Sequence, residues 1–236
     1  MDRPDIGLLP EAREEHARFA WLARLLGRAM AAYVRLVART CRVSGPSIGQ
    51  EQVIFAFWHE ANLATAVAVY RLRRDNKGVV FSTRGFRGVV MNTMLRGLGS
   101  AVVTLPDVEQ RRGAEAASLS RLMARIGRSG WSLFVSCDGP WGPHRVAKPG
   151  VLIVARESGL PVRPWAVALR PAWRLRGRWD RQLLPLPFCQ LRVEEGELLR
   201  VGERERIKPL LPVLQAALDD VADRADHRME RAARGK

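Results

Sequence analysis

The sequence predicts an α/β fold, with a mostly parallel central sheet covered by helices and an amphipathic helix at the N-terminus. The main observation is that short, continuously apolar segments alternate with helical patterns between residues 53 and 169. Continuous apolar strands of this kind are typical of parallel sheets whose two faces are both buried. The chain has 236 residues, of which 47% are hydrophobic, and this is enough to bury a substantial core.

A regular order of elements follows a Gly-Pro-Ser break at residues 45–47. Strands are expected over residues 53–58, 78–81, 101–105, 131–136 and 160–169. Helices are expected over residues 60–74, after the second strand to about residue 98, and over residues 114–128 and 148–158. Residues 183–193 predict strand and loop, and residues 207–231 a closing amphipathic helix. We therefore expect an N-terminal helical segment (1–44) and an α/β domain (45–236), together one globular unit.

The N-terminal segment predicts one long helix from about residue 11 to residue 40, because only Gly27 interrupts it. At about 100° per residue, basic side chains fall on one side and apolar side chains on the other. The basic residues are Arg13, Arg24, Arg28, Arg35 and Arg39, and the apolar residues are Phe19, Leu22, Leu26, Ala29, Tyr33 and Val37. Such a helix either lies in a membrane interface with arginines toward the phosphates, or packs on the core with a solvated basic face.

The charge composition points to a polyanionic partner. The chain has 39 Lys and Arg against 24 Asp and Glu, a formal charge of +15, and only four of the cations are lysines. Codon bias in a GC-rich genome explains the choice of Arg over Lys, but not the excess of Arg over acidic residues. The partner is then nucleic acid or an anionic membrane surface. The ordinary hydrophobic content excludes a disordered polycation.

The cysteines and the hydropathy pattern indicate the compartment. Cys41, Cys137 and Cys189 are too scattered for a disulfide framework or a metal site, so a reducing compartment is expected. The charged N-terminus lacks the apolar core of a signal peptide, and no stretch approaches the ~18 apolar residues of a membrane span. We expect a soluble or peripheral protein.

His59 is the first candidate for chemistry, because it directly follows the strand 53–58 and opens a helix. In parallel sheets, ligands collect at the carboxyl ends of the strands. The near-neutral pKa typical of imidazole suits a general base. A histidine at a strand end is also compatible with a purely structural position.

The loop CDGPWGPHRVAKPG, residues 137–150, is the most distinctive stretch of the chain. Its Gly-Pro turns make it rigid, and it carries Asp138, His144, Arg145 and Lys148. A rigid loop with cations before a helix suits a phosphate, although a structural turn with solvated charges is the alternative. Arg84, in the glycine-rich stretch after the strand 78–81, is a further candidate cation. The stretch itself matches no dinucleotide-binding fingerprint.

Two segments together resemble the lysophospholipid acyltransferase-like superfamily, which includes the glycerol-3-phosphate and lysophosphatidic acid acyltransferases. They are FAFWHEANLA and, about 80 residues later, SCDGPWGPHRVAKPGVLIVARESGLPVRPWAV. The similarity is closest to a bacterial branch whose loop has the pattern D-G-P-x-G-P. Asp138-Gly139-Pro140 takes the place of the superfamily's Glu-Gly-Thr/Pro element, and residues 160–164 the place of its L-P-[IV]-x-P block. The stretch 179–188 also resembles that branch, and the resemblance covers about residues 45–200.

This resemblance implies a glycerolipid acyltransferase-like fold and an acyl transfer reaction. His59 would be the general base on the acceptor, a lysophospholipid or related lipid, and Asp138 would supply the carboxylate beside it. The acyl group would come from the thioester of acyl-CoA or acyl carrier protein, with no bound cofactor and no metal. Substrate-binding candidates are Arg84, Arg112, Gly139, Pro140, Arg145 and Lys148. The protein would be cytoplasmic and peripheral to the inner face of the cytoplasmic membrane, with an anionic surface as partner.

Two departures from the superfamily pattern keep an alternative open. The superfamily motif is H-x4-[DE], and the residue at the position of its acid, the fifth after His59, is Ala64. An Arg-Gly-Ser-Ser stretch is also missing, although Arg111 or Arg112 with Gly113 preserves a cation there. A catalytically divergent or inactive lipid-binding homologue is therefore the alternative. Nucleic-acid binding is a third hypothesis that depends on charge alone, since the chain shows no nucleic-acid module.

Overall fold

The structure is a computed structural model that describes residues 19–46, 48, 51–72, 78–105 and 114–234. Its helices are α1 (Ala20–Thr40), α2 (Asn62–Leu72), α3 (Gly85–Gly97), α4 (Ala114–Arg128), α5 (Gly150–Ser158) and α6 (Ile207–Arg234). Its strands are β1 (Arg42–Ser44), β2 (Ile54–Phe57), β3 (Gly78–Ser82), β4 (Ala101–Thr104), β5 (Ser132–Ser136), β6 (Val162–Arg170), β7 (Trp173–Arg174), β8 (Leu183–Leu184) and β9 (Gln190–Glu195). A 3-10 helix, His59–Ala61, joins β2 to α2.

Seven strands form one mostly parallel sheet, in the order β1-β9-β6-β2-β5-β3-β4. The strands β2 to β6 are parallel to their neighbours among themselves, whereas β9 is antiparallel to β6 and β1 is parallel to β9. The short strands β7 and β8 form a separate antiparallel hairpin between β6 and β9. The predicted α/β class with a mostly parallel, helix-covered sheet is confirmed.

Each face of the sheet has its own apolar core. Side chains alternate between the two faces along a strand, so in β2 Ile54 and Ala56 belong to one core, and Phe55 and Phe57 to the other. Helices α4, α5 and α6 close the first core, and α1, α2 and α3 close the second. This double burial explains why the strand reads as a continuous apolar run in the sequence.

The helix α1 differs from its prediction in the face that it buries. Its buried residues are mostly small, and a Cβ on Gly27 would come within 2.6 Å of the Thr93 side chain of α3. Because the two helices approach so closely, larger side chains such as Phe19 and Leu26 remain exposed. Of the six residues predicted as the apolar face, only Val37 is fully buried. Residues 11–18, including Arg13, lie outside the described part of the chain.

Several strands also differ in extent or number from those that the sequence predicted. The strand β1, which the sequence did not predict, follows α1 directly and pairs with β9, so the segment 1–44 contributes a strand to the sheet. The predicted region 183–193 divides into β8, a turn and β9. Among the described helices, none combines the length and the apolar character that crossing a membrane requires.

Candidate active site

The carboxyl end of β2 is where three functional segments meet. In the sheet, β2 lies between β5 and β6, so the loop after β5 and the hairpin after β6 leave the same edge on either side of it. His59 begins the 3-10 helix directly after β2. The hairpin of β7 and β8 then returns residues 175–182 toward this histidine. The strand order therefore determines that these segments meet at the carboxyl end of β2, and the loops carry the polar side chains there.

The His59 imidazole is hydrogen-bonded to Asp180, with 2.9 Å between Nδ1 and Oδ2. Asp180 is 0% exposed, and Arg178 donates to both of its oxygens, each at 2.9 Å. Burial alone would raise the pKa of Asp180, but the hydrogen bonds and the charge of Arg178, together with His59, outweigh it and lower that pKa. An ionised carboxylate can only accept a hydrogen bond. The hydrogen of the neutral imidazole is therefore on Nδ1, from which it is donated to Asp180.

Trp179 fixes the approach of the hairpin to the loop after β5. Its ring lies 5.1 Å from the His59 ring, centroid to centroid, at an interplanar angle of 47°. Trp179 also packs against Gly142, where a Cβ would lie only 2.5 Å from Cε3. Gly142 also has φ +71°, a left-handed conformation that favours glycine. A side chain at position 142 would therefore displace Trp179, the residue next to Asp180.

Asp138 has a different partner from the one that the sequence predicted. Its Oδ1 accepts the backbone N–H of His59 at 2.8 Å, and its Oδ2 accepts the backbone N–H of Arg145 at 3.3 Å. Burial raises the pKa of Asp138, although these backbone hydrogen bonds oppose the shift. Asp138 therefore ties the loop to the backbone of the histidine, and the expectation that it supplies the carboxylate on the imidazole is wrong.

Glu60, the residue after His59, is a buried hub of charge. Its side chain is 4% exposed and accepts from Arg145 Nε at 2.9 Å, Arg174 Nη1 at 2.6 Å and His144 Nε2 at 2.9 Å. Burial alone would raise the pKa of Glu60, but Arg145 first, then His144 and Arg174, lower it. Gln182 also donates to the backbone carbonyl of Glu60 at 2.7 Å. The hub fastens the loop after β5 and the β7–β8 hairpin to the start of α2.

The predicted substrate-binding residues do not all lie in one place. The guanidinium of Arg145 is paired with Glu60, so the expectation that it is free to bind a phosphate is wrong. Lys148 lies over Gly139, with Nζ 3.1 Å from the position of a Cβ there, and Pro140 is exposed beside Trp141. Arg84 is exposed directly before α3. Arg112, with Arg111 and Gly113, lies outside the described residues.

Sequence reasoning missed Asp180 and Glu60. The only signal for Asp180 was its place in the stretch 179–188, which resembles the acyltransferase branch without revealing a role. Glu60 gave no signal in the sequence beyond its place directly after His59. Within the described residues, no group of three or more His, Cys, Asp or Glu side chains is arranged to hold a metal ion.

Comparison of the chain with protein-family models, with curated proteins and with solved structures found no match. The central element of the site is an imidazole whose Nδ1 is held by a buried, ionised carboxylate and whose side chain is 21% exposed. Among the described residues, Nε2 has no hydrogen-bond partner. This is the arrangement of a general base that can take a proton from a substrate.

Proposed function

We propose that the protein is an acyltransferase that moves a fatty acyl group from an acyl thioester to a lysophospholipid or related lipid acceptor. The donor would be acyl-CoA or acyl carrier protein. The observation that carries the proposal is the hydrogen bond between His59 and Asp180 at the carboxyl end of β2. The resemblance of residues 45–200 to the lysophospholipid acyltransferase-like superfamily selects acyl transfer among the reactions that a general base can serve.

In the proposed reaction, His59 Nε2 takes the proton of the acceptor's hydroxyl or amine group. The freed electron pair attacks the thioester carbonyl, and a tetrahedral oxyanion forms. When the oxyanion collapses, the C–S bond breaks, and the leaving thiolate takes the proton from the imidazolium. Asp180 accepts from Nδ1–H throughout, so it orients the ring and stabilises its charged form without becoming protonated itself.

The surrounding charges suit a phosphate-bearing lipid. Lys148 and Arg84 remain candidates for the acceptor's phosphate, since neither is engaged by an acidic side chain among the described contacts. The net charge of +15 favours an anionic membrane surface as the place of reaction. We accordingly propose a location at the inner face of the cytoplasmic membrane.

The alternative is a catalytically inactive lipid-binding homologue, and it was motivated by the missing acid of the H-x4-[DE] motif. Asp180 weighs against it, because a carboxylate from the hairpin lies where the motif acid would be needed. A buried carboxylate that Arg178 holds against a partly exposed imidazole is an arrangement typical of acid–base chemistry. The active enzyme is therefore the better supported proposal.

Transfer of radiolabelled acyl groups tests the proposal. The full chain is incubated with acyl-CoA or acyl carrier protein donors and a panel of lysophospholipid and glycerol phosphate acceptors. His59→Ala should lose about 10²- to 10⁴-fold in rate, while His227→Ala, on the exposed face of α6, should match wild type. Equal rates in wild type and His59→Ala would refute the role of His59. A folded wild-type protein that transfers no acyl group with any donor would favour the lipid-binding alternative.

A further inference from the structure

The segments around His59 expose several large apolar side chains. Phe86 lies in the first turn of α3, Trp141 and Val146 in the loop after β5, and Trp173 and Leu175 in the β7–β8 hairpin. Their exposed fractions lie between 38% and 56%. We call these five residues the site rim. Single exposed apolar residues are ordinary, but a group at one place marks an interaction surface.

The strand order brings the site rim together. The strands β3, β5, β2 and β6 are neighbours in the sheet and all run in the same direction. Neighbouring strands lie about 4.8 Å apart, so the segments that leave their carboxyl ends share one edge. Two of these segments also bind the residues at the end of β2, through Asp138 to His59 and through Arg174 to Glu60. The site rim therefore lies at the sheet edge that carries the candidate active site.

The same segments carry exposed charge of one sign only. Residues 82–88, 137–150 and 170–182 contain nine Arg and Lys residues and two acidic residues. The acidic residues, Asp138 and Asp180, are both buried. The cations are Arg84, Arg87, Arg145, Lys148, Arg170, Arg174, Arg176, Arg178 and Arg181, and each is exposed or half-buried. Cations interleaved with tryptophan and aliphatic side chains are the composition that binds an anionic lipid interface.

We infer that the site rim is the surface with which this protein binds an anionic lipid membrane, so that the membrane lies directly over His59. The inference rests on the proposed function for the meaning of the site, but the binding itself is independent of catalysis. Trp141 and Trp173 enter the headgroup region, and the arginines that no described carboxylate engages, such as Arg84 and Arg176, contact the lipid phosphates. A lipid acceptor then reaches the imidazole from the bilayer surface without first dissolving in water.

The helix α1 is the competing surface on this chain, because it exposes Trp21, Leu25 and Leu36. The site rim is favoured for two reasons. Its cations lie in the same three segments as its apolar residues, and two of these segments also contact the residues at the end of β2. A nucleic-acid duplex, which the charge alone would suit, gives no reason to expose Val146 and Leu175, since aliphatic side chains neither stack on bases nor contact phosphates.

Vesicle flotation with matched variants tests the inference. The full chain is mixed with vesicles of phosphatidylcholine alone or of phosphatidylcholine with phosphatidylglycerol, and the bound fraction is measured over a range of salt. Wild type should bind the anionic vesicles preferentially and less well as salt rises. Trp141→Ser with Trp173→Ser should weaken this binding about tenfold or more, because two large apolar side chains no longer enter the interface.

The control is Trp21→Ser with Leu25→Ser, which removes comparable exposed side chains from α1 and should leave binding close to wild type. The inference is overturned if this control loses binding while the Trp141 and Trp173 variant keeps it, or if wild type ignores anionic vesicles. Strong binding to duplex DNA that the tryptophan changes abolish, without vesicle binding, also overturns it. Circular dichroism verifies that each variant is folded.

A second measurement detects the contact with lipid directly and does not depend on a variant that loses binding. In vesicles that contain brominated phosphatidylcholine, tryptophan fluorescence of Trp21→Phe should still be quenched, because Trp141 and Trp173 contact the lipid. Unquenched fluorescence in bound Trp21→Phe contradicts the inference. His59→Ala separates this inference from the proposed function, since it should bind vesicles like wild type while losing transfer. Vesicle binding without any acyl transfer in wild type would refute the proposed function and leave the site rim intact.

Discussion

Asp180 Oδ2 lies 2.9 Å from His59 Nδ1, although the two residues are 121 positions apart in the chain. The β7–β8 hairpin carries Asp180 back from the end of β6 to the end of β2. Trp179 and Arg178 hold it there, the first against Gly142 and the second through two hydrogen bonds. The candidate base is therefore assembled by the hairpin and not by the helix on which His59 lies.

Asp180→Asn should lower acyl transfer about 10²- to 10⁴-fold, because the imidazolium that forms during the reaction loses its neighbouring anion. The measurement is the rate of radiolabelled acyl transfer by both proteins. Asp220→Asn, which removes an exposed carboxylate paired with Arg224 on α6, should leave this rate unchanged.

Gly142→Ala should destabilise the protein by about 1–3 kcal/mol and lower activity, because its Cβ collides with Trp179 and its φ is left-handed. Gly177→Ala in the hairpin is the matched control, since nothing lies within 4 Å of a Cβ there. Its effect should stay within about 0.5 kcal/mol. Urea unfolding followed by tryptophan fluorescence measures both. Similar free energies of unfolding for the two variants would show that Trp179 does not pack on Gly142.

Glu60→Gln should cost on the order of 3 kcal/mol in the free energy of unfolding, because Arg145 and Arg174 lose their buried counter-ion. Glu51→Gln, whose side chain is 50% exposed and pairs with Arg163, should cost less than about 1 kcal/mol. Chemical unfolding at neutral pH compares the two. Equal costs would contradict a hub at Glu60.

The cost of Glu60→Gln should also depend on pH. The pKa of Glu60 is lowered in the folded protein, since Arg145, His144 and Arg174 outweigh the effect of burial. A lowered carboxyl pKa gives stability that is present above the unfolded pKa, about 4.3, and is lost as pH falls through the folded value. The difference in stability between wild type and Glu60→Gln should therefore shrink below about pH 4. A difference that grows on acidification would contradict this assignment.

Cys41 and Cys189 should form a disulfide under a dithiol oxidant such as diamide, which takes up the two thiol hydrogens. They precede the paired residues Arg42 and Gln190 of neighbouring parallel strands, and their sulfurs lie 2.6 Å apart. Burial, and then the contact with Cys41, raise the pKa of Cys189 to about 12, so oxidation should be slow at neutral pH and faster at alkaline pH.

Intact mass and alkylation after denaturation measure the loss of two hydrogens and of two free thiols. Cys189→Ser should abolish the reaction, whereas Cys137→Ser, at the end of β5, should not affect it. An oxidation that persists in Cys189→Ser would show that the two strands are not paired as described.

Local patterns in the sequence predicted much of the frame of the protein. The alternation of apolar strands and helices predicted β2 to β6 with shifts of one or two residues at most boundaries, because burial on both faces leaves a continuous apolar run. The same patterns did not predict β1, which has three residues and depends on pairing with β9. For α1, periodicity gave the helix but the wrong buried face, because close contact with α3 selects small side chains over large ones.

For the site, the sequence alone determined that His59 stands at the end of a strand and that a rigid loop begins at Asp138. Only the tertiary structure decided which carboxylate meets the imidazole and which cations are already occupied. Asp138 lies on the backbone of His59, Asp180 on its ring, and Glu60 takes Arg145. These pairings depend on how the loop and the hairpin return to the sheet edge, and contacts across such separations leave no periodic signal in the chain.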